Sequence, residues 1–377
     1  MPTPHRILLV FTEERWFIRD TLHGLFDYRR ERSNWQIVWR DHDALGELGM
    51  YDGVIGYLRD PPHIEACVAA GVPAVTFSAA NACGGVSRAI ADHRVMGALA
   101  ADHALSAGYP SFACARSPEP LRGPRLRFDG WRKRLRTRLG TAAGDVRLHT
   151  YAGEDAALRQ WLQALPHPVA VLCDHDATGL RVLDACHDAR LAVPEQIGVI
   201  GMHNNELLCE SARPTLTSLD PGFYDIGWAG GLELDRRLSD EAQRDCWRVR
   251  RVRPRGVFVR QSTGPRVSDD LLVARAAGYV RDHVSEPMTA SVLAEALGVS
   301  RRLLEMRMRA ALNQSPHDMI REARLHEARR LLTQTDLPLA RVAAASGFSN
   351  AAYFSTHFRR EAGVPPSQFR RDTRRGQ

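Results

Sequence analysis

Leu339-Ala340-Arg341-Val342-Ala343-Ala344-Ala345-Ser346-Gly347-Phe348-Ser349 carries apolar residues at helical spacing and then breaks at a glycine. Glycine tolerates the positive φ of a sharp helix-to-helix turn. Phe348 is expected to pack into the joint, and Ser349 to cap a second helix through its side-chain oxygen. That helix places Tyr353, Phe354 and Phe358 on one face, leaving Asn350, Ala351, Ala352, Ser355, Thr356 and Arg359 on the other. Small polar residues and an arginine suit approach to the major groove, where alanine can touch a thymine methyl and arginine can bond guanine or phosphate. The segment from Leu339 to Phe358 reads as a helix-turn-helix. Its plain alternative is an ordinary amphipathic helix.

The plan occurs twice. Val292-Leu293-Ala294-Glu295-Ala296-Leu297 forms a short helix, Gly298 turns it, and Ser300 caps a helix from Arg301 to Arg309. Leu304 and Met308 face inward at i, i+4, which leaves Ser300, Arg301, Arg302, Glu305, Met306 and Arg309 toward DNA or, on the bland reading, toward solvent. Between the two units, Pro316 to Thr333 reads as one long helix with Met319, Ile320, Ala323, Ala328, Leu331 and Leu332 buried. Such a helix would hold both readers about one DNA turn apart, in successive major grooves.

The residues Ile320-Arg321-Glu322-Ala323-Arg324-Leu325, Ser346-Gly347-Phe348, Tyr353-Phe354-Ser355, Phe358-Arg359-Arg360, Gly363, Pro365-Pro366-Ser367 and Phe369-Arg370 closely resemble the AraC-type DNA-binding domain. The resemblance covers Asp270 to Arg371. It departs at Met308, where the family usually has Phe, and at Met306, where a basic residue is common.

Charge is distributed in keeping with that reading. From Ser268 onward 17 arginines stand against 12 acids, which places +5 of the chain's +7 near the readers. A positive field favours phosphate contact and makes affinity fall with salt. Lys133 is the single lysine among 51 basic residues, so arginine abundance alone carries little information. The seven cysteines show no C-x-x-C pair and no metal-ligand spacing with histidine, and read as buried thiols of a reducing cytosol. The first residues lead into too few apolar positions for a signal sequence or membrane span, so the expected location is the cytoplasm. No cofactor or metal is expected.

At 377 residues the chain has room for two or three domains. Residues 6 to 260 alternate short apolar runs with helical stretches. The runs are Ile7–Phe11, Gln36–Trp39, Gly53–Tyr57, Ala74–Phe77, Phe112–Ala115, Val169–Cys173 and Ile197–Gly201. Apolar strands with crossover helices indicate parallel sheets covered on both faces. The length is about twice that of one such domain. The expected fold is therefore α/β, with two doubly wound lobes followed by an all-α module bearing both helix-turn-helix units. The boundaries read as 1–261, a linker over 262–268, and 269–377. Val259 to Arg266 leaves the apolar pattern and gains breakers.

Arg127-Phe128-Asp129-Gly130-Trp131, Asp174-His175-Asp176-Ala177-Thr178-Gly179 and Val193-Pro194-Glu195-Gln196-Ile197-Gly198-Val199-Ile200-Gly201 resemble the periplasmic-binding-protein-like ligand domain of the LacI family of sugar-responsive regulators. That resemblance implies that Arg127, Asp174, and His203 with Asn204 bond sugar hydroxyls. His203 stands where such a site generally has aspartate. A ligand domain of this kind ahead of an AraC-type reader is similar to the order in regulators of xylose operons. That order implies a small sugar effector (xylose or a relative), promoter DNA, RNA polymerase and a homodimer partner, in a bacterial nucleoid.

Sugar hydroxyls both donate and accept, so a selective site needs carboxylate, amide and arginine groups converging beside an aromatic face. Trp16 and Phe17 are candidates for the face, with core as the alternative for Trp16. Arg19 belongs to the same stretch, and Asp92 reads either as an acceptor or as a helix N-cap. An enzyme is disfavoured: there is no Gly-x-Ser-x-Gly elbow, phosphate loop or Rossmann glycine fingerprint. A constitutive architectural binder whose front domain only dimerises is a further reading. The residues leave open the effector's identity, the operator, and activation versus repression.

Overall fold

The computed structural model describes residues 3–11, 16–40, 48–80, 84–117, 122–140, 149–151, 155–239, 244, 246–264, 270–335 and 337–375. The chain divides into two compact units, Met1–Ala185 with Gly198–Gly264, and Cys186–Ile197 with Pro265–Gln377.

The first unit contains two six-stranded sheets. In chain order its strands are β1 (His5–Val10), β2 (Trp35–Arg40), β3 (Gly53–Gly56), β4 (Ala74–Thr76), β5 (Ser87–Ala91), β6 (Ser111–Ala115), β7 (His149–Tyr151), β8 (Val169–Cys173), β9 (Ile197–Met202), β10 (Thr217–Asp220), β11 (Val249–Val252) and β12 (Gly256–Phe258). One sheet runs β11-β5-β4-β3-β1-β2 and the other β12-β10-β9-β8-β6-β7. The chain passes from one sheet to the other after β5, after β10 and between β11 and β12, which makes two lobes. Burial on both faces explains the continuous apolar runs: every residue of β8 and β9 is buried.

Five strands, β5, β7, β10, β11 and β12, stand beyond the seven that the apolar runs predict. β5 and β11 contain Arg88, Arg250 and Arg251, which break the apolar pattern, and β7 and β12 are only three residues long. The second sheet is also not wholly parallel, because β12 pairs antiparallel with β10. Ser262 and Thr263, read as the start of a linker, are buried in this unit instead. The Ser262 hydroxyl donates to Val199 O at 2.6 Å and accepts from the Thr217 amide at 2.8 Å. A serine-threonine-glycine run looks like a breaker until its hydroxyls find backbone partners. The rest of the expected linker, 265–268, lies outside the described residues. Of the cysteines, Cys67, Cys114, Cys173, Cys186 and Cys209 are buried, Cys246 is exposed against expectation, and Cys83 lies outside the described residues.

Helices α1 (Trp16–Arg32), α2 (Pro61–Ala69), α3 (His93–Ser106), α4 (Arg122–Leu139), α5 (Asp155–Ala164), α6 (Asp176–Asp188), α7 (Glu206–Ser211) and α8 (Phe223–Ser239) fill the connections. α3 and α4 approach through glycines: a Cβ on Gly97 would lie 1.9 Å from the Arg127 carbonyl oxygen, and one on Gly130 would lie 2.1 Å from that of Arg94.

The second unit is helical: α9 (Leu271–Asp282), α10 (Ala290–Ala296), α11 (Arg301–Leu312), α12 (Pro316–Gln334), α13 (Leu339–Ala345), α14 (Ala351–Ala362) and α15 (Pro366–Arg375). It has two cores. Leu293, Leu297, Leu304 and Met308 share one with Met319 and Ile320 of α12. Val342, Phe348, Phe354 and Phe358 share the other with Leu325, Ala328, Leu331 and Leu332 of the same helix. A capping box starts that helix: Ser315 Oγ accepts from the Asp318 amide and Asp318 Oδ2 accepts from the Ser315 amide.

Candidate functional sites

A cavity of about 140 Å³ opens at the carboxyl ends of the parallel strands in the first unit. Tyr57 follows β3 and Phe77 follows β4 on one lobe. His93 starts α3, Arg127 lies on α4, Asp174 follows β8, His203 follows β9 and Phe223 starts α8. All seven line the cavity, together with Arg59, Arg122 and His175.

Arg127, 5% exposed, is the hub. Its Nε donates to His93 Nδ1 at 3.3 Å, its Nη2 donates to His203 Nε2 at 2.8 Å, and its Nη1 donates to the Asp174 carbonyl. Burial lowers the guanidinium to about 10, against the pull of the Asp174 charge. Burial, and secondarily Arg127, push the His93 imidazole down to about 3, so that ring is neutral near pH 7. Asp174 is 1% exposed. Its Oδ2 accepts from the Ser117 amide and hydroxyl, both at 2.8 Å, and its Oδ1 accepts from the Thr178 hydroxyl at 2.6 Å.

His203 and Asn204 both have positive φ, 102° and 51°. Such conformations need surrounding support in residues other than glycine. Asp176 provides it. Its carboxylate accepts from the Asn205 amide at 2.7 Å and from the Ser218 hydroxyl at 2.5 Å, and Ser218 Oγ in turn accepts from the Asn204 amide at 3.0 Å. Burial raises Asp176 to about 6, with those two hydrogen bonds pulling the other way. The turn that presents His203 is thus pinned by a buried carboxylate one layer behind the cavity.

The structure brings Arg127, Asp174 and His203 into one wall, as the sequence reading grouped them. Asn204 is adjacent but not part of the cavity wall, and its Oδ1 is buried without a hydrogen-bond partner among the described residues. Asp92 takes its alternative role: it caps α3, accepting from the Val95 amide at 3.1 Å, while its neighbour His93 faces the cavity. Arg19 is exposed on α1 and is not part of the wall. The side chains of Trp16 and Phe17 lie outside the described residues. Phe77 and Phe223 supply an aromatic face. Tyr57 and Phe77 were within reach of the sequence reading, because each stands at the end of an apolar run where ligands bind.

In the second unit, Thr289 caps α10, Gly298 turns at φ 69°, and Ser300 caps α11 by accepting from the Leu303 amide at 3.2 Å. Leu304 and Met308 are fully buried. Arg301, Arg302 and Arg309 are exposed, and Met306 is 58% exposed. Arg301 Nε is 2.7 Å from Glu305 Oε1, so that pair offers a partly compensated charge. In the repeat, Gly347 turns at φ 75°, and a Cβ there would lie 2.1 Å from the Val284 carbonyl oxygen. Asn350, rather than Ser349, caps α14, with its Oδ1 accepting from the Tyr353 amide at 2.8 Å. Asparagine takes the role because it stands immediately before the first helical residue. Tyr353 departs from the buried face assigned to it: it is 47% exposed and lies against His357, ring centroids 4.2 Å apart. Ala352, Thr356 and Arg359 are exposed and Ala351 and Ser355 half-buried, while the Thr356 hydroxyl donates to Ala352 O.

No helix among the described residues is long and apolar enough to cross a membrane, and no His, Cys, Asp and Glu cluster among them could hold a metal ion. A cavity between α/β lobes joined to a double helix-turn-helix defines a ligand-responsive DNA-binding transcriptional regulator, not an enzyme. The helix-turn-helix domain family matches residues 293–372 and the periplasmic binding protein-like domain family matches residues 101–263. Over 387 residues the chain is 27% identical to the Xylose operon regulatory protein of Escherichia coli (strain K12), with 97% of each chain covered. To the protein of that name from Haemophilus influenzae it is 25% identical over 395 residues, covering 97% of this chain and 98% of the relative. The solved structure of the xylose-binding transcription activator xylR matches with a TM-score of 0.84 and 26% identity, covering 98% of each chain. In both domains and along its whole length the chain is similar to the AraC-family regulators of the xylose-operon-regulator (XylR) type.

Proposed function

We propose that the chain is a transcriptional activator controlled by a small sugar, xylose or a relative, held in the cavity around Arg127. The observation that carries the reading is that cavity: a buried guanidinium, two imidazoles and aromatic side chains converge at the strand ends. The similar proteins, a xylose operon regulator and a xylose-binding transcription activator, support a sugar as effector. Arg127 and His203 bond the sugar, Asp174 orders the wall, and Phe77 and Phe223 face the ring. An effector that contacts both lobes favours their closed arrangement only by its differential affinity for it.

On the DNA side, Arg301, Arg302, Glu305, Met306 and Arg309 of the first reader, and Ala351, Ala352, Ser355, Thr356 and Arg359 of the second, meet the major groove or its phosphates. Ser300 and Asn350 hold the helix starts at the backbone. The protein works in the bacterial cytoplasm at the nucleoid, as a homodimer that recruits RNA polymerase. Footprinting of a target promoter with and without sugar, combined with a melting-temperature screen over sugars, tests the reading. Sugar binding to the folded state raises the melting temperature and changes promoter occupancy. A footprint and transcript level indifferent to every sugar would overturn it.

A further inference from the structure

We propose that the two readers recognise different base chemistry: Arg302 of the first takes a guanine through hydrogen bonds, and Ala352 of the second takes a thymine through its methyl group. The inference rests on the groove-facing reading of α11 and α14 above and deepens it. The two helices correspond position for position. Ser300 and Asn350 cap them, Leu304 and Met308 answer to Phe354 and Phe358 as the buried pair, and Asn313 and Gly363 end them in the left-handed conformation, at φ 55° and 75°. Arg302 therefore stands where Ala352 stands, Met306 where Thr356 does, and Arg309 where Arg359 does. All six are exposed, on the side of their helix away from the buried pair.

The last pair is arginine in both helices and suits phosphate. The middle pair brings apolar carbon in both, a thioether in one and a threonine methyl in the other. The first pair sets the readers apart, and it lies in the first turn, where recognition helices reach base edges. In α11 that turn carries Arg301 and Arg302 with no acid, against the preference of a helix N-terminus for negative charge. Glu305 answers Arg301 at 2.7 Å, while Arg302 has no partner among the described residues. An unpaired guanidinium at that end matches the two acceptors, N7 and O6, that guanine shows in the major groove. In α14 the same place offers no such donor. Asn350 Oδ1 is committed to the Tyr353 amide at 2.8 Å, and the Thr356 hydroxyl donates to Ala352 O at 3.0 Å. What remains outward in the first turn is the methyl of Ala352, short enough for close approach, and its counterpart on a base edge is the methyl of thymine.

The test uses duplexes selected from a random library by the full chain, with and without D-xylose. Each is remade with deoxyuridine for single thymines, which removes only the methyl, or with 7-deazaguanine for single guanines, which removes the N7 acceptor. At least one guanine should bind about five-fold more weakly when replaced. At least one thymine, about one helical turn away, should bind about three-fold more weakly. Arg302→Ala should abolish the guanine effect and leave the thymine effect, and Ala352→Gly should do the reverse. Ala352→Arg, in a repeated selection, should exchange that thymine for guanine, a gain that a loosened helix could not produce. Tolerance of deoxyuridine at every thymine, or a guanine effect that survives Arg302→Ala, would overturn the inference while leaving DNA recognition intact. A library with no sequence enriched in either condition would overturn both.

Discussion

The carbonyl oxygen of Arg127 occupies the space that a side chain on Gly97 would need, 1.9 Å from an ideal Cβ. The residue that organises the cavity is thus set by how closely α4 approaches α3. Gly97→Ala must push the two backbones apart, because neither atom in conflict is the end of a flexible side chain. The expected result is a loss of about 1–3 kcal/mol in stability together with at least ten-fold weaker effector binding. Retention of wild-type affinity in urea-titrated, calorimetrically characterised Gly97→Ala would refute this positioning role.

Stability should carry a pH signature from two groups of opposite sign. His93 falls from 6.5 to about 3 on folding, so between those values the unfolded chain holds a proton that the folded chain lacks. Its penalty is absent above 6.5 and grows as pH falls, by up to about 1.4 kcal/mol per pH unit. Asp176 rises from 3.8 to about 6, so its stabilising proton is fully present below 3.8 and lost as pH rises through 6. The two oppose each other between these limits. His93→Gln removes the first, and its stability between pH 4 and 6 should fall with rising pH relative to wild type. Parallel pH profiles from urea melts of the two proteins would show that His93 does not titrate in this way.

Gly347 combines a φ of 75° with the Val284 carbonyl 2.1 Å from its ideal Cβ. Gly347→Ala should cost about 1–3 kcal/mol from backbone strain alone, with repacking around Val284 adding to it. Thermal unfolding monitored by α-helical ellipticity should show a lower midpoint, and operator binding should weaken in parallel. An unchanged midpoint would mean that the turn can relax without disturbing the second reader.

Arg302 is exposed on α11 near its N-terminus. Arg302→Ala should leave the melting temperature within about a degree while weakening DNA binding. If the contact is to phosphate, the slope of log affinity against log salt should fall by about 1 across all sequences. If it is to a base, discrimination at one operator position should relax instead. Binding isotherms at several salt concentrations separate the two, and wild-type affinity on every sequence would remove Arg302 from the interface.

The double reader was legible because its signals are local: Gly298 and Gly347 mark the turns, and Leu304, Met308, Phe354 and Phe358 repeat on the buried face. The lobes were legible where strands are apolar throughout, as in Val169–Cys173. They were illegible where a strand carries arginines, as in Val249–Val252, where Arg250 pairs with Glu233 of α8 and Arg251 is exposed. Arg127 and Asp174 stood out through a motif, but His93 did not. Its importance comes from Arg127, 34 positions away, and no local pattern encodes that contact. Asp176 was quoted only as part of a motif, although it supports the turn that carries His203.

Helix α12 lends Met319 and Ile320 to one core and Leu325, Ala328, Leu331 and Leu332 to the other. The consequence is that the two readers have no separate foundations. A fragment beginning after Thr335 would take Leu325, Ala328, Leu331 and Leu332 from the core of Phe354 and Phe358, and one ending at Asn313 would take Met319 and Ile320 from that of Leu304 and Met308. Gene fusions or truncations that treat these units as interchangeable cassettes should yield insoluble pieces, so dissecting operator recognition requires point substitutions on an intact module.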